Sequence, residues 1–285
     1  MSTILTIARL TFQEAWRRWM VVIAVLLGIV FLAFYAFGFS LINSDMGGSR
    51  LSPFLLLAAY NFFLLAGLYV VHFLTIMLSI FASIDAISGE IGSFTIQALV
   101  TKPVRRWEVL MGKWAGYAAM LILYLGALGA GVILITNALA HYMPPNPVES
   151  LALILLEALV LLSLSLLAGT RFSTLTNGVA LLMFYGLTFV GTWVEQIGAV
   201  LQNAGGVPGA ATMVRLGSVT SFLLPVEVLW RRAAFLLQPP LASRTNFVSP
   251  FAAFSVPDPA MVVYAVVYAA VALGLAIWSF SRRDL

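Results

Sequence analysis

Two ionisable side chains lie deep in long apolar runs, where they are the residues best placed to do chemistry. Glu157 is the only acid well inside an apolar run long enough to cross a membrane, and His72 lies in another such run. Ionisable groups within a bilayer are costly, and those that occur commonly bind a substrate or an ion, or relay protons. Glu157 and His72 are therefore candidates for lining a translocation path.

Both residues also have a structural interpretation, and the sequence leaves the choice open. Glu157 has no obvious basic partner along the chain, and a single carboxyl group can be protonated or hydrogen-bonded to a neighbouring helix. A lone histidine among apolar residues is usually a packed, neutral, hydrogen-bonded group. Asp85 and Glu195 lie at the ends of apolar runs, where solvation favours the structural interpretation more strongly.

Catalytic motifs are absent from the sequence. Gly112-Lys113 is followed by Trp114 and has no glycine at the preceding spacing of a phosphate-binding loop. Neither H-E-x-x-H nor G-x-S-x-G occurs, and the absence of cysteine excludes disulfides and thiolate metal sites. We expect no catalytic, cofactor or metal site on this chain, so any ATP hydrolysis must occur on another polypeptide.

The elements that position these residues are expected to be membrane-spanning helices. The 285 residues are 62% hydrophobic and only 9% charged, which is too little polar surface for a soluble domain of this size. A hydrocarbon core about 30 Å thick needs about 20 apolar residues of helix. Six runs qualify, over residues 20–42, 54–84, 114–140, 148–168, 179–194 with flanks, and 260–280.

The predicted fold is thus an all-α integral membrane protein, with residues 1–285 forming one transmembrane domain. Residues 1–19 predict an interfacial helix, because apolar residues including Phe12 and Trp16 fall on one face and Arg9 and Arg17 on the other. Residues 195–259 form the one long segment outside the spans. Within it, residues 218–237 predict an interfacial or re-entrant helix that Pro225 and several charges prevent from spanning.

Charged residues gather between the second and third spans, in residues 83–116, which we call the hinge. Residues 90–99 predict a short helix with Ile91, Phe94 and Ala98 on one apolar face. Pro103 ends it, since the residue before a proline is driven from the α region, and also suits the first turn of the next helix. The hinge therefore combines an amphipathic helix, a break and a basic helix start.

The hinge resembles a sequence pattern of ABC transporter permeases of the type-2 exporter class. In that family an acidic residue, a Gly-Thr, a small-Pro-Val-x-Arg element and a Gly-Lys follow the second span. The matching segments here are Ser88-Gly89-Glu90, residues 95–99, Lys102-Pro103-Val104-Arg105-Arg106-Trp107-Glu108-Val109-Leu110 and Gly112-Lys113. The order and spacing of the spans extend the resemblance over the whole chain.

This resemblance implies a permease subunit that forms the translocation path and works with a separate cytoplasmic ABC ATPase, which holds ATP and Mg²⁺. Two permease chains, identical or similar, would assemble with two ATPase subunits, and the direction of transport would be export. Residues 85–113 would form the coupling region. The residues expected to contact the ATPase are Glu90, Ile91, Phe94, Ala98, Arg105 and Arg106, although the two arginines are equally suited to anionic lipid headgroups.

Basic residues set the expected orientation through the positive-inside rule. With six spans and a cytoplasmic N-terminus, ten of the fifteen basic residues are cytoplasmic, and the C-terminus is cytoplasmic too. We therefore expect a multi-pass protein of a bacterial or archaeal plasma membrane, with lipids and no nucleic acid among its partners. The ten residues are Arg9, Arg17, Arg18, Lys102, Arg105, Arg106, Lys113, Arg171, Arg282 and Arg283.

Two other function classes account less well for the sequence. A stand-alone secondary transporter or channel predicts internal repeats, interrupted helices and paired intramembrane charges. The two halves of the chain show no repeat, and Glu157 alone is a weak basis for ion coupling. A membrane scaffold or intramembrane enzyme has no positive feature in its favour, and the sequence does not identify a transported substrate.

Overall fold

The computed structural model describes residues 3–47, 52–89, 105–203, 205, 208–239 and 257–282. Within these ranges the chain is helical and contains no strand. The helices are α1 Thr3–Arg17, α2 Trp19–Gly47, α3 Pro53–Ser83, α4 Arg106–Ala140, α5 Pro147–Gly169, α6 Thr174–Asn203, α7 Ala210–Leu223, α8 Val226–Leu236 and α9 Ala260–Ser281.

Six helices of the described chain, α2 to α6 and α9, are long and apolar enough to cross a membrane. This confirms the predicted all-α membrane fold and its six spans. The largest boundary differences are that α4 begins at Arg106 rather than residue 114, and that α6 extends to Asn203 rather than residue 194. Hydropathy identifies only the apolar part of a helix, whereas the backbone hydrogen bonding continues into its polar ends.

Helices α3, α4 and α5 form the centre of the bundle. At least half of the most apolar stretch of each is buried, compared with 11% for α2 and 17% for α9. Helix α5 also packs against α9 and α8, while α3 contacts both α4 and α5. The exposed apolar faces of α2 and α9 are those expected to contact lipid or a partner chain.

Helix α1 packs along the first turns of α4, which form the end of the hinge. A Cβ on Gly112 would lie 2.6 Å from Cβ of Ile7, and one on Gly116 would lie 2.7 Å from the carbonyl oxygen of Ala8, so the glycines permit this close contact. Leu5 and Trp16 remain about half exposed on another side of α1. The apolar residues of this helix therefore divide between a face against the protein and a face available to the membrane.

Helices α7 and α8 form a re-entrant hairpin with a 106° bend between them. Close contacts pair Gly198 with Met213 and Gly191 with Thr220, so α7 runs antiparallel to α6. Helix α8 then packs on α5, and Asn61 near the start of α3 donates a 2.8 Å hydrogen bond to the Leu237 carbonyl oxygen. Both ends of the hairpin thus lie at the end of the bundle opposite the hinge.

The first and last described helices both contact the start of α4, at the hinge end. Helix α1 contacts the start of α4, and Arg106 of α4 donates a 3.4 Å hydrogen bond to the carbonyl oxygen of Ser281 at the end of α9. The connection between α4 and α5 and the two ends of the hairpin lie at the opposite end of the bundle. An even number of spans returns the chain to the side on which it began, so six spans place α1 and the end of α9 at the same end of the bundle.

Candidate functional site

Three ionisable side chains from separate helices meet in the centre of the bundle. Nδ1 of His72 in α3 lies 2.6 Å from Oε2 of Glu157 in α5, and its Nε2 lies 3.9 Å from Oε1 of Glu227 in α8. All three side chains are almost fully buried. One imidazole ring is therefore placed between two carboxyl groups, and we call this group the central cluster.

Aromatic rings enclose the central cluster. The ring centroids of His72 and Trp230 are 4.8 Å apart, and those of His72 and Tyr69 are 5.6 Å apart. Tyr185 of α6, whose side chain is buried, faces Glu227. These rings exclude water, so the electrostatic interactions between the imidazole and the two carboxyl groups act in a medium of low dielectric constant.

A second buried ion pair joins the hairpin to α6. Nη1 and Nη2 of Arg231 in α8 lie 2.8 and 3.2 Å from the two carboxylate oxygens of Glu195. Both side chains are less than 10% exposed. Ser221 of α7 donates a 3.5 Å hydrogen bond to the same carboxylate. The guanidinium group binds the carboxylate through two parallel contacts, the arrangement that fixes geometry most firmly.

The structure shows where the ionisable residues of the sequence analysis lie. Glu157 has a basic partner in His72, which the apolar patterns of the two spans did not indicate. Glu227 and Arg231 are buried. The sequence places them in an interfacial or re-entrant helix and gives no sign of their partners. Their spacing of four residues, which places both on one side of a short helix, was the available signal.

The central cluster contains more acidic groups than basic groups. Protonation of His72 can compensate one carboxylate, and the other requires a proton or an external cation, because an isolated buried charge is costly. Among the described residues, no group of three or more His, Asp or Glu side chains is arranged to hold a metal ion. The arrangement suits proton sharing or the temporary binding of a cationic group.

A separate set of contacts holds the described start of the hinge. Arg18, between α1 and α2, forms ion pairs with Asp85 and with Glu14. Burial of its guanidinium group opposes the charge, but Tyr117 and the two carboxylates outweigh burial and raise the pKa of Arg18 above its ordinary value. Asn177 of α6 donates a 3.0 Å hydrogen bond to the Ile84 carbonyl oxygen. Helices α1, α2 and α6 are therefore all tied to the turn after α3.

The described end of the hinge is the start of α4. The backbone N–H of Arg105 donates a 3.0 Å hydrogen bond to Oε2 of Glu108, and the Glu108 N–H donates to the Arg105 carbonyl oxygen. These reciprocal bonds stabilise the first turn. Arg106 contacts α9, as described above. The other candidates for contact with an ATPase lie outside the described residues, namely Glu90, Ile91, Phe94 and Ala98.

Comparison with known proteins identifies the family over almost the whole chain. Residues 5–285 match the family model described as ABC-2 family transporter protein. No curated protein matches the chain at a significant level. The match includes all six candidate spans, the hinge and the hairpin. The chain therefore belongs to the ABC-2 transporter family and is a multi-pass ABC transporter permease, a membership that implies partnership with an ABC ATPase subunit.

Proposed function

We propose that this permease forms the translocation path of an ABC exporter and is driven by a separate cytoplasmic ATPase subunit through residues 85–113. The observation that carries the proposal is the family match over residues 5–285, which includes the hinge between α3 and α4. ATP and Mg²⁺ would bind to the ATPase. Export is the direction implied by the resemblance of the hinge to type-2 exporters.

Contacts at both ends of the hinge support a coupling role. Asp85 forms an ion pair with Arg18, which precedes α2, and the glycine face of α4 at the end of the hinge lies against α1. A displacement of residues 90–104 by a partner would therefore act on α1 to α4 together. An apolar helix that packs differently against the ATPase in its two states would supply the free-energy difference that such a movement requires.

The same proposal places the hinge and both termini in the cytoplasm. Most basic residues of the described chain, among them Arg17, Arg18, Arg105 and Arg171, lie at the hinge end, as the positive-inside rule requires. A pair of permease chains, identical or similar, would complete the translocation path. The weakly buried helices α2 and α9 offer faces for a partner permease or for lipid.

His72 and Glu157 would act on the translocation path together with Glu227. The hairpin enters from the end opposite the hinge and places Glu227 beside this pair, so it closes the central region from that end. Movement of α8 away from α3 and α5 would expose the carboxyl groups to a substrate or to protons. The alternative is a purely structural role, in which the central cluster only holds the hairpin against α3 and α5.

Purification from the native membrane tests the ATPase partnership. The chain, isolated in mild detergent, is expected to co-purify with a soluble subunit that carries a phosphate-binding loop, in about equal amount by mass spectrometry. Ile91→Asp and Phe94→Asp should uncouple ATP hydrolysis from transport while membrane insertion is preserved. Val148→Asp places the same charge at an exposed position at the end of the bundle opposite the hinge, and this control should leave coupling intact.

The central cluster also gives the secondary-transporter alternative a specific observation in its favour. That alternative requires transport in vesicles without ATP, no co-purifying ATPase, and a loss of transport in Glu157→Gln. ATP-dependent transport that is reduced in Glu157→Gln would instead support a role for the cluster within the ABC permease. Unchanged transport in this variant at every pH would leave the cluster with only its structural role.

A further inference from the structure

An apolar groove of about 500 Å³ lies between α5, α6 and α9 on the hinge side of the hairpin. Its walls include Leu167 of α5, Phe184 of α6 and Leu275 of α9. The residues where the hairpin bends, Leu223 and Leu224, also line it. The groove is therefore separate from the central cluster and is closed at one end by the re-entrant segment.

The length of the groove corresponds to one leaflet of a bilayer. Along α9 it extends from Ser279 to Tyr268, which is about 16 Å at 1.5 Å per residue. Half of a hydrocarbon core about 30 Å thick is about 15 Å. At the inner end, the Tyr268 hydroxyl donates a 3.1 Å hydrogen bond to the Leu223 carbonyl oxygen, so the hairpin forms a fixed floor near mid-membrane.

Two arginines lie at the other end of the groove, which is the hinge end. Arg171 is exposed, and its Nε donates a 3.1 Å hydrogen bond to Oγ of the groove residue Ser279. The guanidinium carbon of Arg282 lies 4.6 Å from the ring centroid of the groove residue Trp278. No acidic side chain is found among the described residues that line the groove.

From this combination we infer that the groove binds one acyl chain of an anionic phospholipid, with the headgroup phosphate at Arg171. An apolar groove of this length binds a hydrocarbon chain through van der Waals packing, and the guanidinium group recognises a phosphate through its planar set of donors. Arg282, directly after α9, adds a second positive charge beside Trp278 at the same end of the groove. A free phosphate would use the arginines but not the apolar groove.

The bound lipid would contact elements that belong to three spans and the hairpin. Its acyl chain would fill the space beneath Leu223 and Leu224, and would thus support the bend between α7 and α8 from the hinge side. The leaflet that contacts the hinge is the cytoplasmic one in the proposed orientation, and that leaflet is the one rich in anionic lipid. The site therefore matches the membrane composition expected around it.

Native mass spectrometry of the purified, delipidated full-length protein tests this inference. The protein is titrated with phosphatidylglycerol and phosphatidylcholine that carry the same acyl chains. Phosphatidylglycerol should bind more tightly, and Arg171→Gln, which keeps a hydrogen-bonding group near Ser279, should weaken its binding about fivefold. Ala180→Trp, which fills the groove, should weaken binding of both lipids.

Matched controls are available on the same helices or with the same charge. Arg215→Gln removes an exposed arginine at the opposite end, and Ala270→Trp adds the same bulk on an exposed face of α9 outside the groove. Both controls should bind phosphatidylglycerol as the unmodified protein does. Thermal unfolding of each variant in the same detergent verifies that the protein is folded.

Three results would overturn the inference. The first is equal affinity for the two lipids, with no effect of Arg171→Gln. The second is binding of inorganic phosphate alone at Arg171 together with an unaltered lipid affinity in Ala180→Trp. The third is disulfide formation between two copies of Phe184→Cys in native membranes, which would show that a second permease chain covers the groove; the natural chain has no cysteine to interfere.

Discussion

Nδ1 of His72 lies 2.6 Å from Oε2 of Glu157, and this contact joins α3 to α5 at the centre of the permease. Neither side chain has access to water, so each depends on the other for compensation. Glu227 approaches the opposite nitrogen of the same imidazole from the hairpin. The His72–Glu157 pair therefore links two spans and also contacts the hairpin through Glu227.

The first prediction concerns this pair. His72→Gln and Glu157→Gln should each lower the free energy of unfolding, and the double variant should lose less than the sum of the two, with a coupling of about 1–3 kcal/mol. The reason is that each single change leaves the other group without its partner. The measurement is thermal or denaturant unfolding in one detergent. Strict additivity would contradict the pairing, and Glu149→Gln, exposed on the same helix, is the control.

The second prediction concerns the Arg231–Glu195 pair. Arg231→Gln should destabilise the hairpin by about 3–5 kcal/mol, because it leaves a buried carboxylate uncompensated. Hydrogen exchange of residues 210–236 should become faster than in the unmodified protein. Arg215→Gln, an exposed change on α7, should have little effect. A second change, Glu195→Gln, should restore part of the protection, and its failure to do so would argue against the ion pair as the cause.

The third prediction concerns the packing of α7 against α6, which Gly217 of α7 and Gly186 of α6 test in different ways. A Cβ on Gly217 of α7 would lie 2.3 Å from Cβ of Glu195, so Gly217→Ala should force the two helices apart and cost about 1–3 kcal/mol. Gly186 of α6 has no neighbouring atom within 4 Å of such a Cβ. Gly186→Ala should therefore stabilise the protein by up to about 1 kcal/mol through helix propensity. Unfolding temperatures measured side by side decide the matter, and shifts of equal sign would refute the close packing of α7 on α6.

The fourth prediction concerns the attachment of α1. Gly116→Ala places a methyl group 2.7 Å from the Ala8 carbonyl oxygen and should loosen α1 from α4. Trypsin should then cut faster at Arg9 and Arg17, which can be followed by mass spectrometry. Gly126→Ala in the same helix meets no atom within 4 Å and should leave the cleavage rate unchanged. An unaltered rate in Gly116→Ala would show that other contacts hold α1.

The fifth prediction separates coupling from stability at the hinge. Asp85→Asn should change the free energy of unfolding by less than about 1 kcal/mol, because its ion pair with Arg18 is partly exposed. It should nevertheless reduce ATP-driven transport if this pair transmits movement from the hinge to α1 and α2.

A charge exchange provides the corresponding test. Transport should recover when Arg18→Asp is combined with Asp85→Arg, because the pair is then reversed but intact. Glu14→Gln removes the other partner of Arg18 within the α1 segment and should leave transport unchanged. Failure of the exchange together with a loss in Glu14→Gln would assign the effect to the charge of Arg18 alone.

The spans could be predicted because each depends on a local property. Residues 54–84 were expected to form the second span, and α3 covers Pro53–Ser83. The length of the apolar run is enough to predict this span, because a helix needs about 20 apolar residues to cross the bilayer. The hinge and its family were also recognisable, because its charged residues and Pro103 occur close together in the sequence.

The partners of the buried ionisable groups could not be predicted in the same way. His72 and Glu157 lie on different spans, and their contact depends on how α3 and α5 rotate and pack against each other. Glu227 and Arg231 were expected at the outer face because a charged helix broken by proline cannot span a bilayer. That argument is correct for spanning, but it does not apply to a segment that is surrounded by protein at membrane depth.

The hairpin has a consequence for the order in which this protein assembles. Helix α8 contacts His72 of α3, Ser150 of α5 and Glu195 of α6, and Leu237 directly after it contacts Asn61 of α3. All four partners precede the hairpin in the chain. Its binding site therefore exists only after five spans have been inserted and have come together. We therefore expect assembly in two stages, in which five spans first form a bundle with unpaired ionisable groups at its centre and the hairpin then packs against them from the end opposite the hinge.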